Sequence, residues 1–438
     1  MNMNMNISMG TSMNITDHEI QTTFFPVAER VPGVLYEPKG LEAEKLTTVL
    51  VMHSDEDYLT CPTGPELAKR GFRVLCANVM SKEGMFFSQI DKMRAVKAAV
   101  EALRALPRVG AIVLMGHSGG ATLMSTYQCI AENGAQVFQG PEKILPYPDD
   151  TKLPPADGVM LLDANWGNAA MQLFSLDPAV TDETSGMDLD PQLNLFLPEN
   201  GFDPAGSTFS DDFIRTFQKA QGERNNRLLN YALERLQAIE SGKGKYIDDE
   251  PLVIPGADQV FMNNKLYAQD IRLMSHTKDP HPLIHADGSV TNEIVHSVRL
   301  PENPVCLTDS LVEGGRIMTV RNYLSSYAVR TTEDYGYGED SVWGIDWASS
   351  YNFPPGNVAG IHVPLLVMGM TAGWEYLASE TIYNMAGSPD KHIAFVEGAT
   401  HKFHTAKHCE TYPGQFGDTM KTLHDYVALW LSAPDRFR

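Results

Sequence analysis

Residues 111–125, AIVLMGHSGGATLMS, carry an apolar run, a cluster of small residues around one serine, and a helix-like continuation. Ala111 to Met115 are consecutive apolar positions, the pattern of a parallel strand covered on both faces. Gly116 and Gly120 remove side chains that would collide where the chain reverses, and Gly119, Ala121 and Thr122 let a following helix pack close. A Gly-x-Ser-x-Gly turn between strand and helix leaves Ser118 on strained backbone, its hydroxyl projecting beside helix N-terminal amides. A hydroxyl held in that way is suited to attack on a carbonyl. Ser118 is therefore the candidate nucleophile.

Working outward, further apolar runs rich in Val and Leu predict strands at Gly33–Glu37, Thr48–His53, Arg73–Ala77, Val159–Leu162 and Pro364–Met368, with a shorter one at His392–Val396. Helical spacing fills the gaps; over Gln89–Leu106, Ile90, Met93, Val96, Val100 and Leu103 share one face, with Lys and Arg opposite. Strands alternating with helices build a mostly parallel sheet covered on both sides, an α/β architecture. The alternation stops after Val159–Leu162 and resumes at Pro364. Between them lies one strong helical stretch, from the N-cap candidate Ser210 to about Ile239, followed by Gly-, Pro- and Tyr-rich pieces. Such a segment is too long for a crossover and is expected to form an inserted cap, residues 166–360, between core segments 21–165 and 361–438.

With 43% hydrophobic and 20% charged residues among 438, the chain has an ordinary globular composition. Its net charge of −21 disfavours nucleic acid and anionic lipid as partners. The opening MNMNMNISMGTSMNIT lacks Lys, Arg and a secretory apolar stretch, and residues 1–20 are expected to form a disordered tail. No run of apolar residues is long enough for a transmembrane helix. Cys61, Cys76, Cys129, Cys306 and Cys409 are scattered and never spaced as CxxC, which fits reduced thiols in a cytoplasm and implies no zinc cluster.

The order of these elements and the motif around Ser118 resemble the α/β-hydrolase superfamily, over roughly residues 24–165 and 360–432. The resemblance implies an acid and a histidine following the serine in that order. In HIAFVEGATHKF, a strand and a Gly-Ala turn lead to His401, similar to the family's Gly-x-x-His loop. Its imidazole would take the serine proton and return it to the leaving group. His404 and His408 are close in sequence; HxxHxxxH could suggest metal ligation, but no acidic ligand pattern accompanies it. After PLLVMG the chain reads MTAGWEYLASE, without the expected aspartate, so Glu375 is the preferred acid. Asp163, ending VMLLD, is the alternative, and Glu380 stands behind both.

For an oxyanion hole the resemblance implies the amide of Gly119 and a second donor after the TVLVMH strand, from Ser54 or Asp55, with the Asp55 carboxylate turned away. His53, where the family often shows His-Gly, is expected to be a structural hydrogen-bonder. Cap residues Trp166, Met171, Phe174, Tyr335, Tyr337, Trp343 and Trp347 are candidates either for a substrate pocket or for the cap's own core. MDLDPQ and YIDDE lack the Gly and Glu spacing of a calcium loop. Together these residues imply a serine hydrolase of carboxylic esters or lactones, with no metal and no organic cofactor. Its substrate would be a small molecule with an apolar or aromatic group, not nucleic acid or membrane; no oligomeric state follows. Amide, thioester or carbon–carbon bond cleavage on the same triad, and a non-catalytic ligand-binding protein, are the competing expectations.

Overall fold

The computed structural model describes residues 17–41, 44–78, 89–186, 188–257, 265–301 and 314–437. Most of the expected tail, and Cys306, lie outside these residues.

The first six strands are β1 (Ile20–Phe24), β2 (Gly33–Pro38), β3 (Leu46–Val51), β4 (Arg73–Ala77), β5 (Val109–His117) and β6 (Gly158–Leu162). After them come β7 (Pro251–Ile254), β8 (His276–Ile284), β9 (Val290–His296), β10 (Arg316–Thr319), β11 (Thr331–Tyr337), β12 (Val342–Ile345), β13 (Leu365–Met370) and β14 (Lys391–Val396). Among the described residues, ten of these form one sheet in the order β1-β2-β4-β3-β5-β6-β13-β14-β8-β9. From β4 to β8 the neighbours are parallel; β1 and β2 at one edge, and β9 at the other, run antiparallel.

β5 explains why its sequence reads as a continuous apolar run. Ile112 and Leu114 enter one buried cluster with the helices Gln89–Ala105 and Gly119–Asn133. Val113 and Met115 enter a second cluster on the other face, against Thr63–Lys69 and Thr419–Leu431. β5 outruns the predicted five residues because Gly116 and His117 continue the ladder against Leu161 and Leu162 of β6. β5, β6, β13 and β14 are consecutive neighbours and parallel, so their C-terminal ends share one sheet edge. The segments leaving those ends carry Ser118, Asp163, Glu375 and His401.

The stretch expected to form a cap does not stay wholly outside the sheet, because β8 and β9 extend it as an edge hairpin. HTKDPHPLI shows no apolar alternation, since Lys278 and Asp279 at this edge are exposed and Pro280 cannot donate to a ladder. Where the β8–β9 register is broken between His276 and Pro280, Glu380 replaces strand pairing. It accepts hydrogen bonds from the amides of Lys278 and Asp279 and pairs with His281 Nε2, each at 2.8 Å. Glu380, the third acid candidate, is thus committed to holding this hairpin.

The predicted helix after Ser210 spans Asp211–Glu240, and Ser210 caps it by accepting from the Phe213 amide. It packs on the two small ribbons of the insertion, β7–β10 and β11–β12. Arg224 is fully buried on this helix, bound to Glu183 through Nε and Nη2 and to the carbonyls of Asp177 and Pro255. Replacing it with Met takes the donor from the Pro255 carbonyl and the ion-pair partner from Glu183, and leaves the Asp177 carbonyl only the Val180 amide at 3.4 Å. Arg224→Met should therefore lower unfolding free energy by about 3 kcal/mol in a denaturant titration; an unchanged midpoint would contradict this.

Candidate active site

Ser118 follows β5 with φ 54° and ψ −126°, a left-handed conformation that costs a non-glycine residue about 1–3 kcal/mol. The flanking glycines are needed for space. A Cβ on Gly116 would lie 2.5 Å from the Gly120 carbonyl oxygen, and one on Gly120 would lie 2.6 Å from that of Met52. The turn therefore folds back tightly against the end of β3. The Gly119 amide opens the helix that follows, where N–H groups have no intrahelical acceptor.

His401 lies beside the residue that opens this turn. Its ring lies 4.6 Å from that of His117, the residue before Ser118. Nδ1 of His401 is 2.6 Å from Asp163 Oδ2 and 4.0 Å from Glu375 Oε1. The imidazole is thus hydrogen-bonded to Asp163, the alternative acid, whereas Glu375 sits outside hydrogen-bond range. The reason is positional. Asp163 is fully buried at the end of β6, and its own positive φ of 45° accompanies a carboxylate whose Oδ1 accepts the Met370 amide at 2.8 Å. Glu375, just before the helix Tyr376–Met385, arrives from the neighbouring β13.

Burial opposes charge on His401, but Glu375 and Asp163 outweigh it and hold the imidazole up at about 9. Burial pushes the Asp163 carboxyl upward against the hydrogen bond from His401. Burial also raises Glu375, opposed by His401 and reinforced by the charge of Asp163. These three residues offer metal-ligand atoms within 4.8 Å of one another. Nδ1 of His401 is already engaged with Asp163, however, and one Asp163 oxygen with the Met370 amide.

Two further histidines, His117 and His53, shape the site, and the role of His117 is not written in the sequence pattern. His117 accepts from the Tyr58 hydroxyl at Nδ1 and donates from Nε2 to the His401 carbonyl oxygen at 2.7 Å, fixing the loop that carries the imidazole. Burial keeps His117 neutral, well below the usual histidine range. A histidine directly before Ser118 is the one local signal that could have pointed to it. A cavity of about 220 Å³ opens beside this pair, lined by Glu56, Tyr58, Cys61, His117, Phe403 and His404 among others. His408 lies in the short Lys407–Cys409 turn, exposed.

On the β3 side, His53 Nδ1 accepts from the amides of Asp55 at 3.1 Å and Glu56 at 2.9 Å. The Asp55 amide, one of the expected oxyanion donors, is therefore occupied. Its carboxylate is indeed turned elsewhere, to Lys92 Nζ at 3.1 Å and Ser54 Oγ at 2.9 Å. Burial would raise this acid, but Lys92 holds it down at about 2. Ser54 stays next to the elbow: its Oγ would lie 2.6 Å from a Cβ on Gly119.

The aromatic candidates divide. Trp166 is buried, parallel to Trp374, the residue before Glu375, at 6.3 Å and edge-on to Phe174 at 5.6 Å. Tyr267 and Tyr337 complete this cluster, and Met171 is buried near it on the same short helix as Phe174. Tyr335 hydrogen-bonds to Gln221. Trp343 is 43% exposed over Gly336 and Gly338 of its own hairpin, and Trp347 packs on Phe353.

No protein-family model and no curated protein matches the chain. Solved structures similar to it include a siderophore hydrolase, EstB from Aspergillus fumigatus, at 12% identity and TM-score 0.42, covering 95% of this chain and 98% of that one. Est1E from Butyrivibrio proteoclasticus aligns at 11% identity and TM-score 0.38, over 94% and 97%. A dienelactone hydrolase from Anabaena variabilis aligns at 8% and 0.35, over 94% and 97%. At such identities the fold is read from the chain's own topology. A mostly parallel sheet flanked by helices, with a strained serine turn between β5 and its following helix, is the α/β-hydrolase fold.

Proposed function

We propose that this chain is a serine hydrolase that cleaves a carboxylic ester or lactone through an acyl-enzyme, with Ser118, His401 and Asp163 as nucleophile, base and acid. The observation that carries the reading is the 2.6 Å contact of His401 Nδ1 with buried Asp163, on an imidazole whose ring lies 4.6 Å from that of His117, the residue before Ser118. Donation from Nδ1 to Asp163 leaves the lone pair on Nε2 free to accept the Ser118 proton. Oγ then attacks the carbonyl carbon, and the negative charge on the former carbonyl oxygen is met by the Gly119 amide. Collapse of the tetrahedral intermediate breaks the C–O bond, and the imidazolium returns its proton to the leaving alcohol. Water repeats the sequence to release the acid. Glu375 acts on this scheme through charge, raising the His401 pKa without holding the ring.

The rings of Trp166, Phe174, Trp374 and Tyr337 pack on one another as buried core, and the substrate's apolar or aromatic group is assigned instead to the cavity walled by Tyr58, His117 and Phe403 among others. No described helix is long and apolar enough to cross a membrane. Cys61, Cys76, Cys129 and Cys409 are free thiols, which suits a reducing cytoplasm.

A protonated imidazole cannot take the serine proton, so activity requires the deprotonated form. With His401 held at about 9, kcat/KM for an ester should climb about tenfold per pH unit below that value and level off above it. Glu375→Gln removes a charge that raises this pKa, so the climb should move to lower pH. Profiles of both proteins on either side of pH 9 test the scheme. A wild-type rate already flat through neutrality, or a limb that Glu375→Gln leaves in place, would contradict it. An ester, thioester and amide panel separates the first reading from its relatives on the same triad.

A further inference from the structure

The His53 imidazole is buried, only 5% exposed, and its Nε2 has no hydrogen-bond partner among the described residues. Nδ1 accepts from two backbone amides, which leaves the ring proton of the neutral form on Nε2. A buried donor without an acceptor is costly, and native structures seldom keep one without a use. Burial also holds His53 down at about 4, so the ring is neutral and donates without carrying charge. Stacking on Tyr58 at 4.6 Å fixes its plane.

The Cε1–Nε2 edge of the ring lies against the elbow. A Cβ on Gly119 would lie 3.2 Å from Nε2 and 3.1 Å from Cε1. A Cβ sits about 2.5 Å from its own amide nitrogen by standard covalent geometry, so Nε2 and the Gly119 nitrogen are at most about 5.7 Å apart. Two donors that each reach one oxygen at about 2.9 Å can be separated by up to about 5.8 Å. The pair therefore fits a single oxygen atom. The Asp55 amide cannot take this place because it is spent on His53 Nδ1.

We infer that the Nε2–H of His53 is a side-chain donor of the oxyanion hole, meeting with the Gly119 amide the oxygen that becomes negative when Ser118 attacks. The inference rests on the serine-hydrolase reading above. Two backbone amides set the tautomer, and the side chain delivers the hydrogen bond. The same tautomer excludes His53 as a second base, since its protonated Nε2 cannot accept.

Asparagine can set its carbonyl oxygen where Nδ1 lies, keeping the two amides satisfied while losing the far donor. Glutamine can bring an amide N–H near the Nε2 position. His53→Asn should lower kcat about 100- to 1000-fold with KM within about threefold. It should weaken an alkyl trifluoromethyl ketone, whose hemiketal carries the same oxyanion, by a similar factor, and His53→Gln should recover at least about tenfold of the lost rate. His53→Asn keeping both kcat and ketone affinity within about threefold would overturn the inference and leave Ser118 untouched. Should Ser118→Ala keep wild-type turnover and ketone affinity, the serine reading itself falls. Wild-type protein with nitrogen-15 histidine covers the case in which His53→Asn does not fold. The His53 Nε2–H proton resonance should move downfield when the ketone adduct forms, and an unmoved resonance would overturn the assignment.

Discussion

Ser118→Ala should reduce ester turnover about 100,000-fold or more, to the level left by binding and oxyanion stabilisation alone. Stability should change by no more than about 0.5 kcal/mol, because alanine inherits the same φ of 54° and the loss of one hydroxyl at a half-buried turn opens no cavity. Ser118→Gly sharpens the test. It removes the nucleophile equally, but glycine adopts this backbone freely and should stabilise the protein by about 1 kcal/mol, after its own unfolded-state entropy is counted. Equal inactivity with unequal stability separates chemistry from folding. A Ser118→Ala protein that turns over at wild-type rate would remove the basis of the reading.

The second large effect belongs to Asp163. In Asp163→Asn the side-chain oxygen can keep the Met370 amide, which turns the new NH2 group toward His401 Nδ1. That group donates where the carboxylate accepted, so Nδ1 becomes the acceptor and the ring proton moves to Nε2. The imidazole then presents a proton to Ser118 instead of a lone pair, and kcat should fall about 10,000-fold with little change in fold. Glu375→Gln, at 4.0 Å, alters no hydrogen bond to the ring and should cost less than about tenfold above pH 9. Kinetics of both variants at one pH above 9 check the assignment. The reverse ranking would make Glu375 the acid.

Much of this arrangement is legible in the amino-acid sequence. The Ser118 turn could be read because its requirements are local: five apolar positions, then glycines at the two places where a Cβ would strike backbone. His401 followed from the loop beyond the last apolar strand. Which carboxylate bonds His401 is not legible there, and the sheet explains why. β6 and β13 are adjacent, so carboxylates leaving either strand come within 4.0 Å of the same ring, and sequence spacing carries no record of which one bonds. The β8–β9 hairpin was hidden because Lys278, Asp279 and Pro280 erase the alternation and Glu380 supplies the missing pairing from elsewhere in the chain. His53 reads as a structural hydrogen-bonder, and its Nδ1 is one. What no sequence pattern conveys is that two amides on one nitrogen leave a free donor on the other.

Intact-mass and peptide mapping after exposure to a fluorophosphonate tests the central claim most directly, because the reagent reacts with a serine only where base and oxyanion donors act on it together. The account predicts one adduct per chain, on the peptide that carries Ser118, and almost none in His401→Ala at the same exposure. An unlabelled wild-type protein, or an adduct on a different serine, would contradict it.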